Sequence, residues 1–147
     1  MREGVQPVGR LVCELHDIID LDNESAIAAA LFRRVVGSTA PVVVVDVHSS
    51  LMTSNGLRVL LRLRALLLER GRVLWVVARQ PMVRRVFRAC RLDRTLRVVA
   101  TPAAVRDHCP GPHCSDVHHL VRAAPPRRAR RRLRDAVSRA QDGGGTR

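Results

Sequence analysis

Lysine and tyrosine do not occur anywhere in this chain of 147 residues, and other aromatics are scarce: one Trp (Trp75) and two Phe. Proteins that hold single-stranded nucleic acid stack bases on flat side chains, so this scarcity argues against such a platform; it leaves contact with phosphate open. No apolar run is long enough to cross a bilayer. The N-terminal stretch "MREGVQPVGRLVCELHD" lacks the apolar segment of a secretion signal. A Gly-rich phosphate loop, a nucleophile elbow and a metalloprotease helix are missing as well. The expectation is therefore a cytoplasmic chain that is not an enzyme and needs no cofactor, its four cysteines held as reduced thiols.

What the sequence does have is aliphatic bulk and positive charge. The hydrophobic fraction is 46 %, carried mainly by Val, Leu and Ala, which suits one packed domain with room for a tail. All 26 basic residues are arginines, and the formal net charge is +13. Two readings stay open: arginine accumulated on a solvated surface, or attraction to nucleic acid, an anionic membrane or another acidic partner.

Along the chain, "VGRLVCEL" (8–15) reads as a strand. "HDIIDLDNES" follows as a loop in which Asn23 or Ser25 caps the next helix. "SAIAAALFRRVV" places Ile27, Leu31 and Val35 at helical spacing, and Gly37 stops it. "PVVVVDV" (41–47) is the near-continuous β-branched run of a strand buried on both faces between parallel neighbours. A helix is expected from Gly56 to Arg70, with Leu57, Leu60, Leu61, Arg64 and Leu68 marking its spacing, and Gly71 closes it. "RVLWVVA" (72–78) is another strand, "PMVRRVFRAC" a helix opened by Pro81, "LRVVA" (96–100) a short strand, and "TPAAVRDH" the start of a brief helix. Alternation of this kind predicts an α/β sheet with helical crossovers.

Three of these segments, in order, resemble the STAS domain, in the branch of bacterial anti-sigma factor antagonists. "HDIIDLDNESAIAAAL" looks like the family's Gly-Glu-Leu-Asp turn and first helix, with Asp20 on the motif aspartate. "VVVVDVHSSLMTSNGLRVLL" looks like its strand, Asp-Ser-Ser-Gly-Leu loop and helix. "RGRVLWVVARQPMVRRVFRACRLDRTLRVVATPAAV" is similar to its last strand, helix, turn and short strand. The resemblance implies a single STAS-like domain over residues 1–106, with a mixed, mostly parallel sheet of four to five strands. It implies a partner too, an anti-sigma factor that is a serine kinase, and indirect control of transcription. Aligned on "NGL", the family's phosphorylated serine falls on Ser54, with Thr53 as the alternative acceptor. Asp20, Thr53, Ser54, Asn55 and Gly56 are then the partner-binding positions. The chain departs from the pattern at Thr53 (family Asp), Asn55 (family Ser) and Asp17 (family Gly). Read from the residues alone, "TSNG" is equally a helix cap and Asp20 a capping acid.

Beyond residue 106 the composition changes. Residues 107–126 read as a His/Cys/Pro-rich linker, "DHCPGPHCSDVHH", in which Cys109, His113, Cys114 and His118 are weak candidates for zinc. Residues 127–147 form an arginine-rich tail in which Arg127, Arg128, Arg130, Arg131, Arg132 and Arg134 repel one another. That tail is either solvated and without a partner or a nonspecific grip on nucleic acid, the alternative function for the chain. Cys13 and Cys90 read as small buried hydrophobes.

Overall fold

The computed structural model describes residues 9–108 and 116–122. Its elements alternate: β1 (Arg10–Leu15), α1 (Glu24–Val36), β2 (Val42–Val47), α2 (Ser54–Glu69), β3 (Val73–Ala78), α3 (Pro81–Ala89), β4 (Val98–Val99), α4 (Pro102–His108) and β5 (Asp116–Val121). The strands form one sheet in the order β4-β3-β2-β1-β5. Every described strand pair is parallel, where a mixed sheet was expected. Each of β2 to β5 is reached through a helix that carries the chain back to the end of the sheet where the preceding strand began, and parallel pairing follows from that.

β2 lies between β1 and β3, and its last five residues are buried, as a central strand of a parallel sheet requires. The pleat sends Leu11, Cys13 and Leu15 of β1 to one face, with Val43, Val45 and Val47 of β2. There they pack with α1 (Ile27, Leu31, Val35), α2 (Leu60, Leu63, Leu67) and α3 (Val83, Phe87). Val12, Val44, Trp75 and Val77 point to the other face, where Val105 of α4 meets them. Three helices thus cover one side, and the seven-residue α4 covers part of the other.

Several local expectations need correction. Leu61 and Leu68, expected on the spacing of α2, are exposed; Leu63 and Leu67 complete the inward stripe instead. Leucine fills so much of "VLLRLRALLLE" that more than one stripe satisfies a 3.6-residue period. Cys90 is exposed, because it caps α3 just past the inward-facing Phe87. Asn23 occupies the α1 cap position, but its side chain makes no cap bond.

The stretch expected to be linker, 107–126, instead supplies the end of α4 and an edge strand. β5 pairs with β1 from Arg10↔Asp116 to Leu15↔Val121, and Val121 is buried in the main core. Cys109, His113, Cys114 and the whole tail 127–147 lie outside the described residues. So does the side chain of His118.

Candidate functional site

The site expected at the β2–α2 junction is built from two loops at the carboxyl ends of β1 and β2. Thr53 is the N-cap of α2, with extended backbone (φ −96°, ψ 167°). Its Oγ1 accepts the Gly56 N–H at 3.1 Å. The same hydroxyl donates to the carbonyl of Ile19 in the β1–α1 loop. One side chain therefore satisfies a free helix N–H and ties two loops together. Close packing underlies the junction: a Cβ on Gly56 would lie 2.6 Å from Met52 Sδ, and Met52 is buried.

Ser54, the first residue of α2, is exposed, and among the described residues its Oγ makes only a long 3.4 Å contact, to Asn55 Oδ1. Asn55 and Gly56 are buried. The first turn of α2 has no acidic residue, so its own carboxylates leave the helix dipole unopposed there. One turn on, Arg58 approaches Glu24 of α1 at 3.7 Å.

Asp20 is exposed and acts on its own loop. Its Oδ1 accepts the N–H groups of Asp22 and Asn23, each at 3.0 Å. Asn23 answers by accepting the Asp20 N–H at 2.9 Å and donating to the Ile18 carbonyl at 2.8 Å. This reciprocal pair shapes the turn that presents the Ile19 carbonyl to Thr53.

A second constellation stands at the roots of the same loops. Asp46, the one acid of β2, is buried, and Arg79 at the end of β3 grips it with both ends of its guanidinium, at 2.9 and 2.8 Å. His48 Nε2 lies 3.2 Å from Asp46 Oδ2, and its ring stacks on His16 with centroids 4.2 Å apart. His16 Nε2 in turn is 3.4 Å from Glu14 Oε2. Burial works to raise the Asp46 carboxyl; the Arg79 bonds and the charges of His48 and Arg79 outweigh it and hold the group below the usual carboxylate range.

The model of the STAS domain family matches residues 2–105. The chain belongs to the STAS domain family. No curated protein matches it. Among solved structures it is similar to a chain described as the anti-sigma factor antagonist SpoIIAA in its unphosphorylated form. The two share 20 % identity over 87 % of this chain and 92 % of that one, with a TM-score of 0.41.

Within this STAS domain, Thr53, Ser54, Asn55 and Gly56 sit together at the start of α2, and Asp20 lies one residue from the Ile19–Thr53 link. His48, the one histidine near Ser54 in sequence, faces Asp46 and His16. The acid–histidine group escaped the sequence reading, although a signal exists. Glu14-Leu15-His16 and Asp46-Val47-His48 repeat one acid–apolar–His tripeptide at the ends of two strands. Pairing of Glu14 with Asp46 and of Leu15 with Val47 then sets all four polar side chains on one side of the sheet edge.

Proposed function

We propose that this STAS domain is an anti-sigma factor antagonist that binds an anti-sigma factor, itself a serine kinase, and is switched by phosphorylation of Ser54. The observation that carries the reading is the division of labour at the α2 N-terminus. Thr53 spends its hydroxyl on Gly56 and Ile19, whereas Ser54 beside it is exposed and makes no cap bond. That difference favours Ser54 over Thr53 as the acceptor. Around it, Ile18, Leu21 and Leu51 expose large apolar side chains on the same two loops, at 40, 83 and 47 %. Clustered exposed hydrophobics suit a protein partner.

A phosphate on Ser54 adds a charge of about −1.5 to −2 at the positive end of α2, with Arg58 four residues along the helix. The domain tolerates that charge; a partner surface packed on the uncharged loop does not. Transfer chemistry belongs to the kinase, and this chain is its substrate and ligand, acting in the cytoplasm on transcription indirectly. Among the described residues no helix is long and apolar enough to cross a membrane. The test is phosphosite mapping by mass spectrometry on the chain isolated from its own host. Phosphate on Ser54 is expected; phosphate on Thr53, or on neither, contradicts this assignment.

A further inference from the structure

The geometry points to a site for a divalent first-row cation of the zinc type, held by Glu14, His16 and His48. One donor atom from each of the three lies within 4.8 Å of the others. Two imidazoles and one carboxylate form a ligand set that such cations take readily, with a position left for water.

Backbone register creates the site. Leu15 and Val47 are paired in the sheet, so the residues that follow them, His16 and His48, emerge side by side and stack. Glu14, two residues before His16, projects from the same side of the sheet. The side chains of His16, Glu14 and His48 are 44, 34 and 26 % exposed, open enough for an ion to enter from solvent.

Asp46 has a different part. Arg79 binds both of its oxygens, and Oδ2 stands 3.2 Å from His48 Nε2, the place of an outer carboxylate behind a ligand ring. Carboxylates in that position orient ligand imidazoles. The same pairing offsets the charge of Arg79, one of three guanidiniums, with Arg10 and Arg106, that line the pocket beside Glu14 and Asp46.

A bound ion fastens the roots of the β1–α1 and β2–α2 loops, which Thr53 and Ile19 already join further out. The site stands on its own residues, whatever partner the domain binds.

The test is titration of the full chain, made without a polyhistidine tag and stripped by chelator, with Co²⁺ read by absorption and then displaced by Zn²⁺. Because Cys109 and Cys114 offer thiolates of their own, the same titration is run on the Cys109→Ser/Cys114→Ser chain. One equivalent of Co²⁺ with a nitrogen and oxygen spectrum is expected in both. Binding is lost in His16→Ala and His48→Ala, and weakened roughly 10- to 100-fold in Asp46→Asn. Protection of His16 and His48 by Zn²⁺ against diethylpyrocarbonate, mapped by mass spectrometry on the unmutated chain, is expected too and needs no variant to fold. A sulfur charge-transfer spectrum lost in the cysteine variant and unchanged in the histidine variants would overturn the assignment. So would the absence of binding, or histidines modified equally with and without Zn²⁺.

Discussion

The hydroxyl of Thr53 donates to the carbonyl of Ile19 across 34 residues of chain while it receives the N–H of Gly56. One side chain thus fixes the start of α2 and the height of the β1–α1 loop beside it. Ser54 is presented at the surface because its neighbour does this structural work.

Thr53→Val removes both bonds while keeping the branched shape. Loss of an N-cap costs about 0.5–2 kcal/mol, and the orphaned Ile19 carbonyl adds to it. Thr53→Ser keeps the hydroxyl and retains most of the stability. Urea denaturation of the two variants checks this; equal midpoints would show that the link contributes nothing.

Leu63 and Leu68 carry the same side chain on the same helix, one fully buried and the other 56 % exposed. Leu63→Ala is expected to cost about 2–5 kcal/mol through lost transfer energy and a residual cavity. Leu68→Ala stays within about 0.5 kcal/mol. Thermal melts that fail to separate the pair contradict the inward stripe described above.

Asp46 makes stability depend on acid. Its folded pKa is depressed, so its contribution is complete above the unfolded carboxylate value, about 3.9, and is lost as pH falls through the lower folded value. Asp46→Asn, measured with chelator present, is expected to lose about 1–3 kcal/mol at neutral pH, toward the lower end because Arg79 is 43 % exposed. The gap between wild type and variant then narrows below about pH 4. A gap that stays constant down to strong acid would mean that the carboxylate charge is irrelevant.

Two cysteines divide by burial. Burial pushes the Cys13 thiol up to about 11, with the Arg34 charge opposing it, and Cys13 is fully enclosed, whereas Cys90 is exposed. Alkylation at neutral pH, mapped by mass spectrometry on the native chain, is expected to mark Cys90 and spare Cys13 until denaturant is added. Comparable labelling of both would contradict the packing of β1.

Much of the fold was legible because strong local signals agree. The valine run 42–47 between polar turns reads as a central parallel strand, and Pro81 and Gly71 mark helix ends where the chain turns. β5 was missed because "DVHH" follows Pro110, Gly111 and Pro112, so turn residues and histidines hid a strand whose partner, β1, lies about a hundred residues earlier. At the site, Ser54 and Thr53 look alike in sequence. Only the three-dimensional position of Ile19 separates the hydroxyl that is engaged from the one that is exposed. The Glu14, His16, Asp46 and His48 group leaves a trace in the repeated acid–apolar–His tripeptide, but its members meet through strand register, which two distant tripeptides do not display by themselves.

The most direct test of the central claim is capture from a lysate of the source organism with wild type, Ser54→Ala and Ser54→Asp chains as bait, identifying bound proteins by mass spectrometry. An ATP-binding serine kinase is expected to be retained by wild type and Ser54→Ala and released by Ser54→Asp. Equal retention by all three would contradict the switch at Ser54, and no kinase with any of them would contradict the proposed partner.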